Sequence, residues 1–552
     1  MPSSIPHVTR EFTRQFTTSS SIDDLLTQAG GFASYQRTQA FLCAGCFSCA
    51  AAACLLPNFL LPRLYPIWPE LTVQNSSLLD SIFFGANAVG LIFWGGYGDV
   101  RGRRPAVVLS LCLLIVAGGA TFATISVATL AFARAIVGFS VGGVMNAAFV
   151  CLLEVCAPAD RLSAKVLLSA GGWVTGVLWL TLVAYLLRLS GDDSDNEDLD
   201  ADAWRLLSLH LIPAVPLLIA AALYLEESPR FLLSQGGVSG AERATAALVR
   251  MAEINKSPLP PNSRVAELPV VSSPHGAAPH VEEKRWWAGE EGDANGTPPS
   301  TPAAAASKQN GQAAVHAGSS SSLLARGMEL FHPSIRRRTL LVAVAWFGST
   351  CAYYGVALSP VHVMGEDIYL QNALGGLLEL PAYLLMPILG DRFGRSRTWA
   401  GFLIVGSVPL LILSWYFHNH HTHGHHAKHA AFNTDTPLVM VVLSLLARFG
   451  ATGASAICYV AAAEQWPTSS RNLGVGFGAS CGRLGSILAP LLRLTGWPSA
   501  CLGGIGAAAA IAVLGLPETA GVTLPETLST KPVEKADEGE AESATPMLQR
   551  GA

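Results

Sequence analysis

GDVRGRR at residues 98–104 and GDRFGRSR at residues 390–397 are two copies of one pattern, an acid and clustered arginines on a glycine-rich turn inside otherwise apolar sequence. Outward from each copy the same charges recur in the same order. Asp99 and Arg103 match Asp391 and Arg395; Arg134 in RAIVGFSVGG matches Arg448 in RFGATGAS; Glu154 and Glu464 follow, each trailed seven residues later by an arginine, Arg161 and Arg471. Ordered recurrence of this kind marks an internal duplication. In an apolar chain it is the layout of a carrier built from two parallel six-helix repeats, with the solute site near the bilayer midplane between them.

Composition agrees. The 552 residues are 51% hydrophobic and only 13% charged, with a mean hydropathy of +0.40, which excludes a soluble multidomain enzyme. Thirty-five Lys+Arg against 39 Asp+Glu leave no basic excess for a phosphate backbone, so nucleic acid is not an expected partner. The eleven cysteines sit almost entirely in apolar runs and read as small buried side chains; Cys43, Cys46 and Cys49 have cluster-like spacing but lie inside one such run. No paired nucleophile and base, phosphate loop or catalytic metal set is present, so no enzyme activity and no cofactor are expected.

Twelve apolar runs are long enough to cross a bilayer: 38–61, 77–97, 106–125, 129–154, 165–187, 204–225, 339–358, 369–389, 398–417, 437–459, 473–494 and 498–516. The first follows a polar stretch containing Asp23 and Asp24 and reads as a retained helix rather than a signal peptide. Arg101, Arg103, Arg104, Arg161, Lys165, Arg392, Arg395, Arg397 and Arg471 fall in the loops after runs 2, 4, 8 and 10, while the loop after run 5 is acidic from Asp192 to Asp202. The positive-inside bias then puts both termini and the central linker in the cytosol. The expected organisation is a cytosolic segment at 1–37, a six-helix bundle at 38–225, a linker at 226–336 that is helical and then disordered, a second bundle at 337–516 and a tail at 517–552.

These features resemble the major facilitator superfamily, whose GDxxGR signature follows helices 2 and 8. More narrowly, the chain looks like the organic cation, anion and zwitterion transporters and their synaptic-vesicle-protein relatives. IDDLLTQAGGFASYQ (22–36), ARAIVGFSVGGV (133–144), EESPRFLL (226–233), RRRTLLVAVAWFGSTCAYYGVALS (336–359), IYLQNALGGLLELPAYLL (368–385), EQWPTSSRNLGVGFGASCGRLGSILAP (464–490) and LPETAGVTLPETL (516–528) carry the likeness. It implies an all-α membrane protein with twelve helices in two pseudo-symmetric bundles. One departure stands out: the segment Arg63 to Ser76 is short and lacks cysteine, where drug-carrying relatives have a long cysteine-rich outer loop.

Ionisable residues inside spanning helices are costly and mark function. Arg483 on helix 11 and Glu379 on helix 8 are the prominent ones. By resemblance, the helix 11 position is basic in anion and zwitterion carriers, which makes Arg483 a candidate anchor for a carboxylate. Tyr383 stands where anion carriers often have lysine, which keeps zwitterions in play. The competing reading is an internal Arg483–Glu379 pair that only offsets two burial costs. Tyr353 and Tyr354 on helix 7 reproduce the family's YYG step and suit flat or quaternary solutes, and as adjacent residues they are not expected to face the cavity equally; Trp346 and Phe347 read better as packing.

Asp99, Arg103, Glu154 and Arg161 in one half, and Asp391, Arg395, Glu464 and Arg471 in the other, are expected to form cytosolic latches that break and re-form during alternating access, with Arg103 on Glu154 and Arg395 on Glu464; the competing reading is that they only fix topology and keep the loops soluble. Helix 1 holds no acid, so Glu379, with Arg134 and Arg448 as basic neighbours, is the main embedded acid; facilitated diffusion, exchange of a counter-solute and proton symport all stay open. HNHHTHGHHAKH (418–429) holds seven of the fourteen histidines, yet an outer loop lacks the fixed surroundings of a metal site. Asn75, Asn255 and Asn295 head glycosylation sequons, the last two on the cytosolic side. The expectation is a monomeric carrier of a small organic ion, an anion or zwitterion before a cation, in the lipid bilayer, with the plasma membrane favoured and an internal vesicle membrane also open. The rivals are a proton-coupled sugar or nutrient porter and a transport-silent sensor or scaffold.

Overall fold

A computed structural model describes residues 19–20, 22–192, 204–212, 214–235, 237–260, 264–265, 330–358, 368–422, 438–466 and 471–519. The acidic loop beyond Asp192, most of the linker with Asn295, most of the histidine-rich loop, the side chain of Arg471 and the tail from 520 lie outside the described residues.

Among the described residues the protein is helical apart from one two-residue parallel pairing, and eleven helices are long and apolar enough to cross a membrane. In chain order these are α1 Ser34–Leu64, α2 Val73–Arg101, α3 Arg103–Ala123, α4 Val127–Glu154, α5 Pro158–Arg188, α6 Trp204–Tyr224, α7 Arg336–Leu358, α8 Ile368–Phe393, α9 Arg395–His418, α10 Leu438–Ala463 and α11 Gly474–Leu494. A shorter apolar helix, α12 Pro498–Leu514, completes the set of twelve. The helices run further than the apolar runs, because polar turns such as Ser34–Gln39 and Gly98–Arg101 continue the backbone hydrogen bonding past the hydrocarbon.

Small residues bring the helices together, as expected where lipid removes most of the hydrophobic drive. A Cβ on Gly138 would strike the Phe83 carbonyl, and one on Gly142 the Asn87 carbonyl, so α2 and α4 touch backbone to backbone. Gly102 and Gly394, at φ +110° and +98°, make the two tight turns of the duplicated motif. Within α5 the stretch Leu167–Trp173 is a π-helix, a widening often found at functional sites, and it borders the space between the halves.

The halves are pinned at the end away from Asp99 and Asp391. Asn58 on α1 donates to the Ala357 carbonyl (2.9 Å) and to Asn372 on α8 (3.0 Å), and the Phe59 and Tyr369 rings stack at 5.6 Å. Ser81 on α2 donates to the Ile487 carbonyl of α11 (3.0 Å), and buried Asp80 is ion-paired with Arg493. Asp80 is thus a second membrane-embedded acid beside Glu379. The sequence reading passed over it, although it lies within the apolar run 77–97.

Candidate functional site

A cavity of about 80 Å³ lies between the halves, walled by α1, α4 and α5 on one side and α7, α8, α10 and α11 on the other. Each wall is fixed by packing. Gly478 and Gly482 flatten α11 beneath the Trp346 indole, and Gly485 seats against the Phe347 carbonyl, so α7 and α11 touch and Arg483 is held at the cavity face. Trp346 is 1% exposed and lines the cavity, which corrects its reading as packing alone; Phe347 is not in the lining.

Tyr353 and Tyr354 both line the cavity. Their rings meet edge to face at 5.1 Å, so side-chain rotation brings two adjacent helical positions to one space. Tyr383 lines it too. Arg483 contacts the Tyr354 hydroxyl and borders Tyr459, and among the described residues no carboxylate lies within ion-pair distance of it.

Glu379 does not pair with Arg483. It is fully buried behind the lining and accepts from Arg448 Nε at 3.1 Å and Nη2 at 2.7 Å, from the Tyr353 hydroxyl at 3.1 Å and from the Tyr383 hydroxyl at 3.4 Å. Its oxygens are spent on those donors, so it orients two lining tyrosines rather than facing a solute. Trp173 of α5 donates to the Tyr353 hydroxyl at 2.6 Å, which links this buried network to the first half. Arg134, the repeat counterpart of Arg448, does not reach Glu379 either: it donates to the Ala53 carbonyl at 2.8 Å and covers the Phe83 ring at 4.3 Å.

The duplicated motifs build two matching clusters, each inside its own half. Arg103 binds Asp99 (2.9 Å) and Glu154 (3.1 Å); Arg395 binds Asp391 (2.7 Å) and Glu464 (3.6 Å). A third acid completes each one. Glu227 accepts the Arg103 backbone N–H at 2.9 Å, and Glu518 accepts that of Arg395 at 2.6 Å, each capping the helix that starts after the tight turn. Burial raises the Glu227 carboxyl above its ordinary range, while the backbone N–H groups of Ser228, Arg103 and Arg104 and the Arg103 charge pull it back. Sequence reasoning missed both acids, although EESPR after α6 and LPET after α12 stand at equivalent places in the repeat.

Arg161 does not complete the first cluster. It binds Asp23 in the short helix Ile22–Gln28 at 2.7 Å, and Arg230 binds the same carboxylate, so both tie the N-terminal segment to the bundle. Lys165, read from sequence as a loop charge, lines the cavity instead. All eleven cysteines are free thiols.

The family model described as "Sugar (and other) transporter" matches residues 19–261. Solute carrier family 22 member 15 of Xenopus tropicalis is 29% identical over 494 residues, covering 86% of this chain and 77% of that protein. Organic cation/carnitine transporter 7 of Arabidopsis thaliana is 28% identical over 459 residues, covering 80% and 81%. Solute carrier family 22 member 7 of Homo sapiens is 28% identical over 477 residues, covering 85% and 73%. Among solved structures, the partially occluded, inward-open form of the xylose transporter XylE from E. coli aligns with a TM-score of 0.61 at 15% identity, covering 89% of this chain and all of that one.

Proposed function

Because the chain is a membrane transporter of the major facilitator type, multi-pass and with that fold, we propose that it carries a small organic anion or zwitterion by alternating access, with Arg483 holding the carboxylate. The observation that carries this is the state of the charges: Arg483 lines the cavity with no acid on it, whereas Glu379 is saturated by Arg448 and two tyrosines. A guanidinium facing a low-dielectric cavity favours a carboxylate through charge-assisted hydrogen bonds. Trp346, Tyr353, Tyr354 and Tyr383 supply aromatic surface that also accepts the quaternary end of a betaine. A simple cation would need an acid in the lining, and among the described residues the lining has none. A hydroxyl-rich sugar is less well served, since Asn372 is committed to Asn58 and the Ile368 carbonyl.

In this reading the two charge clusters lie at the cytosolic end with both termini, and each stiffens its own bundle so that the halves rock as units about the cavity. The two bundles, joined by the 226–336 linker, act as one monomer at the plasma membrane, by facilitated diffusion or driven by a proton or an exchanged counter-solute. The test is uptake into proteoliposomes of labelled carboxylates, betaines, quaternary amines and sugars by wild type, Arg483→Ala and Arg483→Lys. Arg483→Ala should lose carboxylate and betaine uptake while eluting as a folded monomer, with Arg483→Lys partly active. Quaternary amine or sugar uptake that ignores both substitutions would overturn the assignment.

A further inference from the structure

Lys165 enters the cavity from α5, in the turn Arg161–Val166 that precedes the π-helix. Its ammonium lies 4.6 Å from the Tyr459 ring centroid, 5.0 Å from that of Phe149 and 6.0 Å from that of Phe47. Among the described residues no carboxylate comes within ion-pair distance of it, as none does for Arg483. Both cations border Tyr459, Lys165 from the first half and Arg483 from the second. Neither is an echo of the duplication. Counted from Arg161 and Arg471, Lys165 corresponds to Val475 and Arg483 to Trp173.

Ring faces attract an ammonium but leave its charge in place. Two uncompensated cations in one enclosed space repel each other and each lacks a counter-charge. A solute with a single negative charge neutralises one and strands the other. A solute with two anionic groups neutralises both, and in doing so spans the two halves, so that closure around it and charge compensation become the same event. Resting on the reading of Arg483 as an anion anchor, we propose that Lys165 is a second anchor and that the favoured solute is a compact dianion, presenting one anionic group to each half of the protein.

The experiment is uptake into proteoliposomes of straight-chain monocarboxylates and dicarboxylates of matched length, by wild type, Lys165→Gln, Lys165→Arg and Arg483→Lys. Wild type should prefer the dicarboxylate. Lys165→Gln should raise the dicarboxylate KM about ten- to hundredfold, the range that follows from loss of one charge-assisted hydrogen bond. The same substitution should lower the monocarboxylate KM, because it removes the cation that a single negative charge strands, and Lys165→Arg should restore the dicarboxylate preference. Equal handling of mono- and dicarboxylates by wild type, or parallel loss of both in Lys165→Gln, overturns the second anchor while the Arg483 reading stands. Uptake of neither series alongside uptake of quaternary amines overturns both.

Discussion

Replacing Glu379 with glutamine should cost far more stability than the loss of one carboxylate suggests. The side chain is fully buried and receives two N–H donors from Arg448 and two tyrosine hydroxyls. Two charge-assisted bonds at about 1.5–3 kcal/mol each set a gross loss of several kcal/mol. The amide oxygen still accepts some of them, which lowers the figure. Against that, Arg448, almost as buried as Glu379, is left as an uncompensated charge, and breaking such a pair from one side costs about 3–5 kcal/mol. Glu379→Gln and Arg448→Gln should each fall in that range, but the double substitution should cost less than either alone. The coupling energy should then be about 3 kcal/mol or more in magnitude. The assay is thermal unfolding in detergent, followed by labelling of the buried cysteines, among them Cys43, Cys54, Cys351 and Cys458. Additive losses, within about 0.5 kcal/mol, would show that the carboxyl is already neutral in the folded protein and that the reasoning fails.

Two further outcomes follow from packing and capping. Gly142→Val places its side chain against the Asn87 carbonyl and the Leu91 N–H where α2 and α4 cross, and neither backbone group can move aside. It should abolish monodisperse elution on size exclusion, whereas Gly119→Val, facing open space, should elute as wild type does. Glu227→Gln weakens the cap on α3 and should lower stability by about 1–2 kcal/mol, read as a reduced Tm, with solute KM unchanged; a KM shift would place Glu227 in the transport path instead.

Length of apolar runs, the doubled GDxxGR turn and the paired later charges determine the fold from sequence alone, because a bilayer forces every spanning backbone into helices and a duplication forces the halves to match. The same signals found Arg103 with Glu154 and Arg395 with Glu464, since those positions recur together. What the tertiary structure decided is which charges meet. The sequence left open a pairing of Glu379 with Arg483, but α10 carries Arg448 to Glu379 and leaves Arg483 to the cavity. Lys165 read as a loop charge because topology rules count arginines and lysines near helix ends without regard to direction; the α5 backbone turns it inward among three rings. Asp80, inside the run 77–97 and passed over in the sequence, is paired with Arg493 from the other half. Local sequence fixes where a helix starts and stops through hydrogen bonding and hydropathy, whereas the partner of a buried charge is set by helix rotation and crossing, which depend on contacts hundreds of residues away.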